Sequence, residues 1–174
     1  MNRYTYMDSP IGPLRLMAHG DSLTELFLPP LPARDPAGER DDEAPLLAEA
    51  KRQLEAYFNG RLTAFDLPLA PHGTTFQQRV WTELARIPYG VTISYGELAR
   101  RIGHPDAARA VGLANGRNPI AIVVPCHRVI GADGRLTGYG GGLPCKQALL
   151  QFEASVRANG ARPFPAPGAV ALDL

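Results

Sequence analysis

The segment IAIVVPCHRVIG, Ile120 to Gly131, restricts the fold of this chain more than any other stretch. Residues 120–124 are all apolar and belong in a core, as a short continuous run of this kind does. Pro125 breaks the run and delivers a cysteine, a histidine and an arginine in succession. Any fold must bury the run while placing Cys126 and His127 at its end. A cysteine is a strong nucleophile only as thiolate, which needs a base or positive potential beside it. His127 is the immediate neighbour, but adjacent side chains diverge in extended backbone, so a direct contact and a bridging water both stay open. A third group is needed to orient the imidazole, and Glu153 is the best-placed acid in this half of the chain. Taken alone, a Cys-His pair is equally compatible with a packed, inert thiol.

Around this segment the chain divides in two. RYTYMD, GPLRLMA and LTELFL read as short strands separated by turns at SPIG and HGDS. A proline- and acid-rich loop, PPLPARDPAGERDDEAP, follows and is expected to be mobile. Leu46, Leu47, Ala50, Leu54 and Phe58 then form one helical stripe that stops at Asn59-Gly60. After a punctuated connector, Phe76, Val80, Leu84 and Ile87 share a second helical face ended by Pro88. Phe76 and Trp81 are expected in the core. Ser94-x-x-Glu97 predicts a capping box at the start of the next helix. A turn at HPDAA leads to a short helix, DAARAVGLANG, and the pair reads as a helix-turn-helix. Many helix pairs bind nothing, so that pattern alone does not establish DNA binding. VIGADGRLTGYGGGL predicts a hairpin or glycine-rich loop around Ala132-Asp133-Gly134, and CKQALLQFEASV a closing helix with Leu149, Leu150 and Phe152 inward. The expected division is an N-terminal α/β domain over 1–72, a second domain over 73–160 and a flexible tail over 161–174.

Two cysteines among 174 residues exclude a disulfide scaffold and point to a reducing compartment, the cytoplasm. The histidines are scattered and no C-x-x-C occurs, so no metal is expected. No stretch is long and apolar enough to span a membrane, and the N-terminus lacks the apolar core of a secretory signal. The net charge of +1 hides an asymmetry. Residues 1–75 hold 7 basic and 11 acidic side chains, and the remainder 11 and 6. Such a split suits a C-terminal half that meets an anion, although a chance distribution of solvated charge gives the same count.

NPIAIVVPCHRVIG, SYGELARRIGHPDAARAVG and LTGYGGGL, in this order over roughly residues 75–155, resemble the methylated-DNA–protein-cysteine methyltransferases. That resemblance implies an α+β chain, with an RNase H-like α/β domain followed by a mainly helical, winged-helix-like domain carrying the helix-turn-helix. It implies a DNA repair activity in which alkyl groups pass from guanine oxygen-6 in duplex DNA to the protein's own cysteine. The nucleotide is flipped out of the helix, and no cofactor is used. Cys126 is then the acceptor, activated through His127 and Glu153 by way of a water. Tyr95 touches the flipped nucleotide and donates a proton towards guanine N3. Arg109 fills the space left by the base, flanked by the small residues Ala108 and Gly112. Asn118 braces the turn before the cysteine, the Cys126 and Val129 carbonyls take the guanine amino group, and Tyr139 with Gly140 forms the pocket's other wall. A monomer is expected.

The residue types fit that chemistry independently. A base inside a stacked duplex must be swung out at a cost of a few kcal/mol, which an inserted arginine offsets. Small residues around Arg109 permit the close approach that minor-groove entry needs. The thioether product is not readily cleaved by water, so the protein acts once. Arg128 is expected to hold structure, and Cys145 to be a spectator thiol. Two departures stand out. The cysteines that hold a structural zinc in some family members are missing. Ala121 stands where the NPxPxxxPCHR form of the motif has proline, so a bulky aromatic adduct is expected to find less apolar cover. A damage sensor that binds without transfer is a competing reading, but such relatives lack the cysteine. A cysteine hydrolase is another, but it needs no helix-turn-helix.

Overall fold

The computed structural model describes residues 1–166. Its first layer is a four-stranded sheet, in the order β3-β2-β1-β4. Strands β1 (Asn2–Met7), β2 (Leu14–His19) and β3 (Ser22–Phe27) form an antiparallel meander. The two-residue strand β4 (Glu39–Arg40) pairs parallel to β1, so the proline- and acid-rich loop expected to be mobile is anchored at this point. Helix α1 (Pro45–Phe58) lays Leu47, Ala50, Leu54 and Phe58 into the core. Its proline sits in the first turn, where a missing N–H costs nothing.

The second half is built from α2 (Thr75–Leu84), α3 (Tyr95–Arg101), α4 (Ala108–Gly116) and α5 (Leu143–Asn159). Strands β5 (Ile93–Ser94) and β6 (Val129–Ile130) pair in parallel and set the cysteine segment beside the start of α3. Thr74 and Gln77 form a full capping box on α2, which the sequence reading passed over. Only half of the box expected at Ser94 forms. Ser94 Oγ accepts from the Glu97 amide, but the Glu97 carboxylate turns outward to Arg100 and Arg101. Buried Trp81 donates to the Ala114 carbonyl at 2.9 Å and so fixes α2 against the end of α4.

The C-terminal stretch corrects one expectation. A loose tail from residue 161 does not describe its first residues, because Phe164 is buried against Phe58 and Phe152 and its amide donates to the Phe58 carbonyl at 2.7 Å. A large aromatic ring beside two others has every reason to dock. Gly60 accommodates this contact: a Cβ there would lie 2.4 Å from the Arg162 carbonyl oxygen. Residues 167–174 of the expected tail lie outside the described residues.

Candidate active site

The apolar run ends in a tight turn that the sequence leaves unannounced. Ile122 adopts φ 68°, a left-handed conformation costly for a β-branched residue. Burial of Ile120, Ile122 and Val124 offsets that strain. Asn118 spans the turn, accepting from the Ile120 amide at 3.0 Å and donating to the Val124 carbonyl at 2.7 Å. A single turn of 3₁₀ helix, Cys126–Arg128, then presents the reactive residues.

Cys126, His127 and Glu153 are all buried. His127 Nε2 lies 2.7 Å from Glu153 Oε2. The same carboxylate accepts from Tyr57 Oη at 2.7 Å, from the Gly90 amide at 3.1 Å, and from Arg128 Nε and Nη2 at 2.8 and 3.1 Å. Five donors therefore converge on two oxygens. Burial by itself raises the Glu153 carboxyl, but the hydrogen bonds and charges of His127 and Arg128 outweigh it and hold the group well below the usual carboxylate range. Burial also pushes His127 down, further than the carboxylate draws it up. These two influences oppose each other across one hydrogen bond. The neutral imidazole is the resting form, because Arg128 already balances the carboxylate. Its proton sits on Nε2, where Glu153 accepts it, which leaves the Nδ1 lone pair free to act as a base. Burial pushes the Cys126 thiol up, against the influence of the Asn118 amide and the Lys146 ammonium, so the thiol rests protonated.

Asn118, Ala121, Cys126, Tyr139 and Gly140 line one cavity of about 250 Å³. Val129 is buried in the β5–β6 pair and does not line it. Tyr95 stands beside the cavity, bonded through its hydroxyl to Thr137 at 2.9 Å, with its ring against Gly112. Arg109 is exposed on the outer face of α4, next to the half-buried Ala108. The Cys126 carbonyl, expected to take a guanine amino group, already accepts from the Val129 amide and, at 3.4 Å, from Asn115. An incoming donor has only the longer of these bonds to displace.

Three contributors escaped the sequence reading. Lys146 is fully buried, donates to the Thr137 carbonyl at 2.9 Å and lies 5.9 Å from the Tyr95 ring centroid. The spacing of Lys146, Leu149, Glu153 and Val156 on one face of α5 was the available signal, since it puts a lysine and a glutamate two turns apart on an apolar stripe. Asn115, which reads as a helix stop, is buried and lines the cavity. The third contributor is an N-terminal segment, Leu26 to Pro32. The main chain ties it to the cysteine segment: the Leu26 amide donates to the Pro119 carbonyl at 2.8 Å, and the Ala121 amide donates to the Leu26 carbonyl at 3.1 Å. Arg128 bonds the Ile87 carbonyl as well as Glu153, a structural role, and Cys145 is a half-buried thiol that burial pushes up to about 11. Three buried polar atoms in this neighbourhood have no hydrogen-bond partner among the described residues: His127 Nδ1, Asn115 Oδ1 and Tyr139 Oη. Unsatisfied groups gathered at a cavity mark a place where a polar ligand completes the bonding.

A buttressed thiol–imidazole pair beneath a helix-turn-helix defines a nucleophile held next to a nucleic-acid-binding element. Residues 75–155 match the family model described as 6-O-methylguanine DNA methyltransferase, DNA binding domain, and residues 2–71 match its ribonuclease-like domain. The chain belongs to the 6-O-methylguanine DNA methyltransferase family. It is 56% identical over 155 residues to the methylated-DNA–protein-cysteine methyltransferase of Mycobacterium tuberculosis, covering 89% of this chain and 94% of that one. It is 52% identical over 161 residues to the protein of the same name from Methanosarcina acetivorans, covering 87% and 98%. A crystal structure of Mycobacterium tuberculosis OGT in complex with DNA superposes with a TM-score of 0.83 at 58% identity, covering 88% of this chain and 93% of that one.

Proposed function

We propose that this protein repairs DNA by moving an alkyl group from oxygen-6 of guanine in duplex DNA irreversibly onto Cys126, once per molecule. The observation that carries this reading is the buried Cys126–His127–Glu153 arrangement at a cavity bordered by the end of α4. His127 Nδ1, which has no protein partner among the described residues, takes the thiol proton by way of a bridging water, and Glu153 stabilises the imidazolium that forms. As the Sγ–carbon bond forms, the carbon–O6 bond breaks. Tyr95 supplies a proton towards guanine N3, so that a neutral base leaves. Asn118, Tyr139 and Gly140 position the base, with Asn115 and Lys146 added by their placement, whereas Val129, which the family resemblance also implied, lies outside the cavity.

The face of α4 turned to solvent carries Arg109, Ala110, Leu113, Gly116 and Arg117. Small residues between two guanidinium groups suit a minor groove, where Arg109 replaces the flipped base and Ala108 and Gly112 allow close approach. Residues 1–72 act as an N-terminal α/β domain, and residues 73–160 as the domain that reads the DNA. The partner is double-stranded DNA containing alkylated guanine, the protein acts as a monomer, and a free Cys126 requires a reducing compartment such as the cytoplasm.

Incubation with duplex DNA carrying O6-methylguanine, followed by mass measurement, tests the reading. One added methyl mapping to Cys126, in one-to-one stoichiometry, is expected. Unchanged mass with retained binding would mean a sensor, and multiple turnovers a hydrolase. Arg109→Ala is expected to slow repair of duplex DNA by about a hundredfold, because extrusion costs a few kcal/mol. Its reaction with free alkylguanine should change little, since nothing is extruded. Equal losses on both substrates would reassign Arg109 to the fold or the pocket.

A further inference from the structure

Leu113 stands in the middle of α4 with 66% of its surface exposed. Among the described residues the other exposed large apolar side chains are Met1, at the start of the chain, and Leu143, in the first turn of α5. A single exposed leucine on a polar surface is ordinary. The surface around Leu113 is not of that kind. Arg109 and Arg117 lie four residues before and after it, and Ala110 and Gly116 three residues to either side, all of them exposed. An added Cβ at Gly116 would meet nothing within 4 Å, so that flank is open. The leucine therefore rises from a floor of small residues, between two cations. On α3, Arg100 and Arg101 are both engaged by Glu97, whereas α4 has no acidic residue to engage its arginines.

At about 1.5 Å per residue, Arg109, Leu113 and Arg117 form one row about 12 Å long, with the leucine about 6 Å from either end. Successive bases of a strand are about 3.4 Å apart, so Leu113 reaches within about two base steps of the place Arg109 fills. Apolar side chains that enter a minor groove act as wedges, slipping between base pairs and unstacking a step. The row suits that groove: its ends meet phosphates, and its centre is covered only by sugars and base faces. A second copy of this chain seated on the same face would bring four guanidinium groups together, which disfavours it as the occupant. We infer that Leu113 is a second inserting residue, an apolar wedge that opens a base step next to the one Arg109 fills and so eases extrusion of the damaged nucleotide. It does not line the Cys126 cavity and acts on the duplex alone. The inference rests on the alkyl-transfer reading.

The test joins a rate measurement to a direct readout of stacking. Rate constants for O6-methylguanine in duplex DNA and as the free base are compared in the parent, Leu113→Ala and Leu113→Met. Alanine keeps the helix and removes the wedge, while methionine keeps an apolar side chain of similar length. The duplex-to-free ratio is expected to fall about tenfold in Leu113→Ala, as most of a leucine side chain goes uncovered, and to stay within about twofold of the parent in Leu113→Met. Stacking is read from 2-aminopurine placed beside the lesion, with Cys126→Ser as background so that the complex does not react. Its fluorescence should rise on binding, and Leu113→Ala should lose most of that rise. The dependence of affinity on salt should not change, because a leucine neutralises no phosphate. An unchanged ratio or an unchanged fluorescence rise in Leu113→Ala would overturn the inference. Equal losses on both substrates would also do so, as would a parent dimer that Leu113→Ala dissociates. Absence of methyl transfer to Cys126 in the parent would instead overturn the alkyl-transfer reading, and the fluorescence would still decide whether Leu113 enters the duplex.

Discussion

Glu153→Gln is expected to unfold at a markedly lower urea concentration than the parent, with a stability loss of about 3 kcal/mol, and to slow alkyl transfer about a hundredfold. Five donors address the two carboxylate oxygens. A glutamine exchanges one acceptor oxygen for an NH₂ group that faces donors, and it leaves the buried Arg128 guanidinium without a counter-charge. The rate loss has a separate origin, since an imidazolium at His127 no longer forms beside an anion. The rising limb of the pH–rate profile, which reports loss of the His127 proton, should therefore move to lower pH, because the carboxylate no longer draws that group up. A profile identical to the parent's would remove Glu153 from the relay.

Stability should depend on pH in the matching direction. His127 and Glu153 both have folded-state values below their ordinary ones of 6.5 and 4.5, so in acid the unfolded chain binds more protons than the folded one. Their contribution is complete above about pH 6.5. It erodes first through His127 and then, below about 4.5, through Glu153 as well. In Glu153→Gln the second component should vanish. Urea midpoints measured at pH 7, 5.5 and 4 check both parts.

Cys126→Ser should abolish transfer, a loss on the order of 10⁶ of the kind seen when a nucleophile is removed, while affinity for duplex DNA stays within about twofold. A serine hydroxyl is far harder to deprotonate than a thiol, and burial already disfavours the anion here. On the proposed reading DNA affinity comes from phosphate and groove contacts on α4, which do not involve Sγ. A serine variant that still removed methyl groups would displace Cys126 as acceptor, and one that lost DNA binding would show that the thiol supports the reading helix.

Features written in side-chain patterns were legible in advance. The stripe on α1, the Val80–Leu84 face of α2 and the cysteine after a buried run all follow from period and punctuation, although α2 ends at Leu84 and not at Pro88, leaving buried Ile87 in the turn that follows. Features made by the main chain were not. Neither β4 nor the β5–β6 pair exceeds two residues per strand, too short for alternation to register. The Ser94 box fails by half because Glu97 had arginines three and four residues ahead competing for it. Lys146 was overlooked because a lone lysine on a helix usually faces water, and only the burial of Glu153 two turns away makes its placement intelligible. Phe164 lay in a stretch whose prolines suggested a tail, yet its ring completes a cluster with Phe58 and Phe152.

The union of β3 with the cysteine segment has a consequence for how such a protein can change over generations. The bonds at Leu26 run entirely through backbone atoms, so the register they impose does not depend on which side chains follow. Exposed positions such as Pro30 and Pro32 can be exchanged without disturbing the thiol, the imidazole or α4, all of which lie more than seventy residues further along the chain. One edge of the cavity and the reacting centre thus reside on separate stretches of sequence. A lineage, or a directed-evolution library confined to residues 27–32, can reshape that edge while the reacting centre is inherited intact.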